Sequence, residues 1–329
     1  MPIGWAIIGC GDIARKRVGP ALVEDENSRP VAMFSNTLAR AQEFCDLFGA
    51  RRAYDRLDDL WADGAVDAVY IASPHFRHRD ETVAAARAGK HVLCEKPMAR
   101  DVGECREMIQ ACADHGVGLG IAYYRRWYPK ARKMKELIAQ GVIGQPIRAR
   151  VCIGGLYNPA PDDWKHWRVS AQAGGGALMD VGSHRLDLIC YLLGEPQRVC
   201  GLTDHRVMAY DVPDTESLLC RMAEGTHVEC SCYWNMPHGA DEMEIHGTEG
   251  SLIATPFDGN ALTVRTRGGE EVLDVTRPFD NVHLPLIASF SARVLAGEAP
   301  EFDGTDGMQA TRIIDGCYRS NESGKWEDV

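Results

Sequence analysis

Within its first 121 residues the chain alternates short apolar runs with helix-like segments, and no other feature limits the possible folds so sharply. The runs are Gly4–Gly9 (GWAIIG), Pro30–Phe34, Asp67–Ala72 (DAVYIA), His91–Cys94 (HVLC) and Val117–Ile121. Helical patterns lie between them, through Ile13, Val18 and Leu22, then over Leu38–Phe48, Phe76–Ala88 and Val102–His115. Strands that are apolar throughout need cover on both faces, as in a parallel sheet built from βαβ units. Right-handed crossovers then make the sheet doubly wound. After a helix near Pro129–Gln140 the pattern changes to strict alternation: Ile147–Ile153, Glu216–Met222, His227–Tyr233, Glu242–His246, Ser251–Ala254 and Leu262–Thr266. Such strands bury one face and form a large, open, mostly antiparallel sheet. An insertion at Trp164–Leu193 interrupts them, and two amphipathic helices, Leu284–Leu295 and Gly307–Ser320, close the chain. The expected architecture is α/β, with a doubly wound parallel domain over residues 1–122 and an α+β domain over residues 123–329.

Composition narrows what such a fold is for. With 329 residues, 45% hydrophobic and 25% charged, the chain has the make-up of an ordinary two-domain globular protein. Its formal net charge of −11 argues against nucleic-acid or anionic-membrane partners. No apolar run approaches the ~18 residues of a membrane helix, and the N-terminal MPIGWAIIGCGDIA reads as a first strand rather than a signal peptide. A cytoplasmic location is expected. The 12 cysteines form no CxxC pair, the nearest being Cys230-x-Cys232, and several sit in apolar surroundings as reduced core thiols do.

Gly9-Cys10-Gly11-Asp12-Ile13-Ala14 follows the first strand and opens the first helix. The first glycine permits a tight turn, the second lets backbone approach a pyrophosphate, and Ala14 allows close helix–strand packing. The phosphate would face free N–H groups at the helix start, so the first domain reads as a Rossmann dinucleotide-binding fold. A second strand that binds NAD ends in a carboxylate for the ribose hydroxyls. Here it ends Phe34-Ser35-Asn36-Thr37-Leu38-Ala39-Arg40, without one. Ser35 and Thr37 can donate to a 2′-phosphate and Arg40 can grip it, so NADP(H) is the preferred cofactor and NAD(H) is possible. The plainer alternative has Ser35 as a helix cap and Arg40 solvated.

Two further segments carry chemistry. Glu95-Lys96-Pro97 leaves the fourth run at the carboxyl edge, where doubly wound sheets hold ligands. Burial there would lower the lysine pKa toward proton-transfer values, whereas a surface Lys-Pro would mean nothing. Gly174-Gly175-Gly176 precedes Asp180 and His184, which in a helix are i,i+4 neighbours. A carboxylate beside an imidazole sets its tautomer and suits a general acid/base. The same side chains could be an ordinary buried pair. A metal reading through Asp180, His184 and Asp187 lacks a further convincing ligand, so no metal is expected.

Taken together, the GxGxxA turn, Glu95-Lys96-Pro97 and the GGG…Asp180-x-x-x-His184 segment resemble the Gfo/Idh/MocA oxidoreductases over essentially the whole chain. Trp164–Arg168 (WKHWR), His246–Gly250 and Asn281-Val282-His283 add to the likeness, while Asp12 departs from the family's usual loop. The resemblance implies hydride transfer between NADP(H) and a carbinol or carbonyl carbon of a sugar, anhydrosugar or cyclic polyol. Lys96 and His184 would move the proton and Asp180 would orient the substrate or the imidazole. Gly9, Cys10, Gly11, Asp12, Ile13, Ser35, Asn36, Arg40, Glu95, Lys96 and His283 would hold the cofactor. Ser73, Pro74, His75 and His78 would line its nicotinamide side, with Trp167 and Arg168 closing over it, and Tyr124, Arg125 and Tyr157 would touch substrate. The alternatives are an NAD-dependent inositol or dihydrodiol dehydrogenase and a catalytically inactive dinucleotide sensor. A sensor would have no use for both Lys96 and His184. Helices on one side only would leave the second sheet an apolar open face, the expected seat of a homodimer or homotetramer contact.

Overall fold

The computed structural model describes all 329 residues. They form two units, Met1–Tyr124 with Phe279–Met308, and Arg125–Pro278 with Gln309–Val329. The single cut expected after residue 122 is thereby refined, because Phe279–Met308 folds with the N-terminal unit.

The first unit is a six-stranded sheet, wholly parallel: β1 (Ile3–Ile8), β2 (Ser28–Phe34), β3 (Arg52–Tyr54), β4 (Ala68–Ile71), β5 (His91–Cys94) and β6 (Leu119–Ile121). Its order is β3-β2-β1-β4-β5-β6, with the direction of winding reversing between β1 and β4. Ligands of such sheets bind beyond the carboxyl ends of the strands at that reversal. Every residue of β1 and β4 is buried, as their unbroken apolar runs require. The intervening helices are α1 (Gly19–Glu24), α2 (Leu38–Phe48), α3 (Leu57–Trp61), α4 (His78–Arg87) and α5 (Val102–Asp114). A π-turn at Ala14–Val18 leads directly into α1.

The second unit contains α6 (Pro129–Ala139), β7 (Pro146–Leu156) and α7 (Ser183–Leu193), then β8 (Pro196–Asp204), β9 (Thr215–Met222), β10 (His227–Tyr233), β11 (Asn235–Gly247), β12 (Gly250–Ala254), β13 (Ala261–Thr266) and β14 (Gly269–Asp274). Helix α8 (Leu284–Leu295) belongs to the first unit, α9 (Gly304–Ser323) to the second from Gln309 onward, and β15 (Glu327–Asp328) ends the chain. The nine-stranded sheet runs β14-β13-β12-β11-β7-β10-β9-β8-β15, antiparallel everywhere except between β7 and β10. Inward positions such as Ala149, Val151, Val228, Cys230, Met243 and Ile245 are buried.

The opposite face corrects the apolar surface expected of it. Outward positions carry Arg148 paired with Glu229 (2.8 Å), Arg150 with Glu242 (3.5 Å) and His246 with Glu244 (3.2 Å). Exposed apolar side chains such as Leu202 and Leu219 are scattered among them.

Helix α8 packs into the first unit through Trp5, whose indole Nε1 donates to Ser291 Oγ (3.2 Å) and whose ring lies 5.4 Å from that of Phe290. Ser291 Oγ also meets Ser28 Oγ at 2.8 Å. No helix is long and apolar enough to cross a membrane, and the twelve cysteines are free thiols.

Candidate active site

At the carboxyl edge of the first sheet, Gly9 has φ +100°, and a Cβ there would fall 2.8 Å from the Ala72 carbonyl carbon and the Ser73 nitrogen. Only glycine fits where two strand exits pass so closely. Gly11 N–H closes on Gly9 O (3.0 Å), and Arg15 N–H reaches Gly11 O (3.0 Å) as the helix begins. Cys10 Sγ donates to Phe34 O (3.4 Å), and burial pushes this thiol up to about 12, so it stays neutral. Asp12 faces Lys16 one turn on, at 3.6 Å.

Arg40 stands beside this turn. Its Nε donates to Cys10 O (3.0 Å) and its Nη1 to Glu43 (2.7 Å). Arg15 pairs with the same Glu43, and both guanidiniums lie over the Phe44 ring, at 4.8 and 4.9 Å. The two arginines hold the Glu43 carboxyl below its usual range. Two cations around one carboxylate leave a net positive corner where β2 ends. Ser35 does not act as the helix cap: Thr37 occupies that position, with no side-chain capping bond. Asn36 Oδ1 accepts from Arg77 at 3.4 Å.

The exits of β4 and β5 are tied together by His78, which is buried. Its Nε2 lies 3.0 Å from Ser73 O, and its Nδ1 lies 3.0 Å from Pro97 O and 3.3 Å from Met98 O. With a carbonyl facing each ring nitrogen, the buried His78 ring lies between the two loops and, kept neutral by burial, donates to one side of them. Ser73 Oγ donates to buried Glu81 (2.5 Å), and His75 is buried. Glu95 is buried as well. Its Oε1 accepts from Tyr70 (2.7 Å) and faces His283 Nε2 (3.3 Å), while Oε2 accepts from Lys96 N–H (3.1 Å). Those partners and the Lys96 charge hold its carboxyl below the usual range despite burial. The Lys96–Pro97 peptide is cis, and Lys96 itself is half-buried. The Tyr124 ring lies against that of His283, tilted by 34° with centroids 4.8 Å apart.

In the second unit Asp180 lies in a π-turn, Leu178–Gly182, that runs into α7. The expected α-helical spacing of Asp180 and His184 is corrected accordingly, since a π-turn holds an extra residue. The Asp180 carboxylate accepts from Arg168 Nη1 (3.2 Å), and the Arg168 guanidinium stacks on Trp167 (5.5 Å). Tyr157 lies by this pair; burial raises its phenol and the Arg168 charge opposes the rise. Its ring packs 4.7 Å from Trp234, against a cavity of about 240 Å³ that Val181 also lines. Tyr157, Trp167, Arg168 and Asp180 are thus one cluster. His184 is buried on the first turn of α7.

Two sequence candidates are otherwise engaged. Asp187 is held by Arg126, with Nε 3.1 Å from both carboxylate oxygens and Nη2 2.7 Å from one, so its oxygens are spent on a buried pair. Arg125 grips Asp258 with two bonds, 2.9 and 2.6 Å, and Asp258 is held to about 2. Sequence reasoning missed Tyr70, Glu81 and Glu216. Tyr70 was detectable, because a tyrosine inside an all-buried strand needs a polar partner.

Residues 3–123 match the oxidoreductase family with the NAD-binding Rossmann fold, and residues 131–253 match the GFO/IDH/MocA C-terminal domain. The chain is 32% identical over 312 residues to 1,5-anhydro-D-fructose reductase of Ensifer adhaerens, covering 92% of each protein. It is 31% identical over 327 residues to D-xylose 1-dehydrogenase (NADP(+)) 2 of Haloferax volcanii, covering 97% of this chain and 98% of that one. The crystal structure of aldose-aldose oxidoreductase from Caulobacter crescentus, complexed with glycerol, superposes with a TM-score of 0.91 at 28% identity over 100% of both chains. With matching domains in both halves and relatives aligned from end to end, the chain belongs to the Gfo/Idh/MocA family of NAD(P)-dependent oxidoreductases.

Proposed function

We propose that this protein is an NADP(H)-preferring dehydrogenase or reductase of a sugar, anhydrosugar or cyclic polyol. The carrying observation is the net positive corner at the end of β2, where Arg40 and Arg15 surround Glu43 and the strand exit itself offers no carboxylate. An NAD site would place an acid there for the ribose hydroxyls; a 2′-phosphate instead suits a planar guanidinium fork. The named activities of the relatives, on anhydrofructose and on xylose with NADP(+), support the substrate class and the cofactor.

The residues fit a dinucleotide. Gly9 lets the β1 exit turn tightly against Ala72 and Ser73, which places the start of the following helix at the carboxyl edge of the sheet, where a pyrophosphate would meet its first N–H groups. Ser35, Asn36 and Arg40 would take the adenosine ribose end; Ser73, Pro74 and the Lys96 exit would take the nicotinamide end. When bound, the cofactor accepts or donates hydride. The chain's own part is to hold the substrate hydroxyl and move its proton. Lys96, fixed through its backbone by Glu95, and His184 are assigned that transfer, and Asp180 is assigned to orientation together with Arg168 and Tyr157.

The test follows nicotinamide absorbance with a panel of aldoses, anhydrosugars and inositols, using each cofactor in turn. Turnover with NADP(H) favoured is the expected result. Equal or better use of NAD(H) would overturn the cofactor assignment and leave the NAD-dependent polyol dehydrogenase reading. Removing a general acid/base costs roughly 10²–10⁴-fold. Lys96→Met and His184→Ala should each lower kcat by about that factor, with cofactor affinity nearly unchanged for His184→Ala. If both variants kept wild-type turnover, the proton-transfer assignment would fail.

A further inference from the structure

A buried carboxylate lies directly behind the turn that carries Asp180. Glu216 is on β9, in phase with buried Leu218, Cys220 and Met222, and is fully enclosed. Its Oε2 accepts the Leu178 N–H at 2.5 Å, and its Oε1 accepts the Tyr318 hydroxyl of α9 at 2.9 Å. Leu178 opens the π-turn. Two residues earlier, Gly176 has φ +134°, and a Cβ there would sit 3.3 Å from the Tyr318 hydroxyl and 3.8 Å from Glu216 Oε1. Gly176 O in turn accepts the Asp180 N–H at 3.0 Å. One carboxylate therefore joins a strand, a helix and the backbone on which Asp180 is carried.

We propose that Glu216 is a positioning residue for the catalytic turn, fixing Asp180 and the start of α7 with His184 by holding the Leu178 N–H from β9. The proposal rests on the assignment of Asp180 and His184 given above. A buried N–H with no acceptor is costly, so the turn keeps this position only while Glu216 supplies one. The groups facing Glu216 are Cys317 and Tyr318 from α9, Cys230 and Cys232 from β10, and Asp214 and Tyr210 from the chain leading into β9. Burial pushes these thiols and phenols up, so they are neutral, and Asp214 is an anion. Burial therefore raises the Glu216 carboxyl to about 7, with the Leu178 N–H and the Tyr318 hydroxyl acting the other way. Ionised, Glu216 accepts from both partners. Protonated, it can still take the Leu178 N–H on one oxygen, but the other becomes a donor and the Tyr318 hydroxyl must turn to accept it. The anchor of the turn thus changes charge and bonding near neutrality.

Three variants test this. Glu216→Ala removes the acceptor and should lower kcat by about 10²-fold, the scale of an ångström-size misplacement, with cofactor KM unchanged. Glu216→Gln keeps an acceptor, so kcat should stay within roughly threefold while an inflection of the kcat–pH profile near neutrality is lost. Tyr318→Phe removes a donor to the carboxylate and should move that inflection to higher pH. If Glu216→Ala loses stability but keeps wild-type kcat and pH profile, the residue is only structural and the proposal fails. A readout independent of turnover separates this from failure of the sugar reading. Carboxyl NMR of wild type against Glu216→Gln should show Glu216 titrating near neutrality, with the Leu178 amide resonance moving at the same midpoint. Titration without movement of that amide, or no titration there, would overturn the proposal whatever the enzyme turns over.

Discussion

Arg40 concentrates the question of cofactor choice in one side chain. Its contact with Cys10 O fixes it beside the glycine turn, and Glu43 holds its far nitrogen. Arg40→Ala should shrink the preference for NADP(H) over NAD(H) by about 1.5–3 kcal/mol, the range for a charge-assisted hydrogen bond, as read from paired binding titrations. Undiminished preference would move the 2′-phosphate to Arg15. Asp187 makes a different prediction. It and Arg126 are both almost wholly buried, and removing one partner strands the other charge. Asp187→Asn should cost about 3–5 kcal/mol in denaturant unfolding. Residue meaning was legible where spacing alone decides it: Arg40 and Glu43 are i,i+3 neighbours on α2. It was not legible where topology decides. Arg15 joins Glu43 only because β1 and β2 are adjacent, and Asp187 meets Arg126 across 61 residues.

Among the elements, those missed by sequence reasoning have physical reasons in common. β3 is three half-exposed residues at a sheet edge, and β14 (GEEVLD) is almost wholly exposed, so neither shows an apolar period. The π-turn at Leu178–Gly182 is invisible to a 3.6-residue template, because it differs from one by a single inserted residue. β9, by contrast, displayed its alternation plainly, and Glu216 in phase with Leu218 and Cys220 was a signal available to be read. The connection from β8 to β9 is organised by Asp214, whose carboxylate accepts the N–H groups of Arg206, Val207 and Met208 and the amide of Asn235. Burial alone would raise this carboxyl, but the backbone bonds and the Thr215 hydroxyl outweigh it and hold it to about 2 against an ordinary 3.8. Since the folded value is depressed, the stabilisation is present above about pH 4 and is lost as pH falls through the folded value. Asp214→Asn should therefore lower stability by about 2 kcal/mol at neutral pH, with the gap to wild type closing toward pH 2–3 in urea titrations. A constant gap across that range would show that geometry, not charge, matters there.

For the whole molecule, the open face of the nine-stranded sheet bears on assembly. Arg148 and Arg150 are already paired with Glu229 and Glu242 there, and Leu202 and Leu219 lie exposed among them, so a two-fold contact on that face would be a mixed polar and apolar one. A homodimer or dimer of dimers is the expected state; light scattering at the 36.2 kDa of one chain would reject it. The two-unit plan was legible because strand grammar changes near residue 122. The return of Phe279–Met308 was not, since amphipathic helix α8 does not announce which core it covers. That return has a consequence for how the protein is made. Trp5 and Ser291 are 286 residues apart, and a ribosome adding about 5–20 residues per second separates them by roughly 15–60 s. The first unit is thus begun first and completed among the last, and a nascent chain halted before α8 should leave the Trp5 indole without its Ser291 partner and more exposed to water, with red-shifted fluorescence. Until Ser291 and Phe290 are made, the Trp5 side chain lacks both its hydrogen-bond acceptor and its ring neighbour, so the earliest core waits on one of the latest helices.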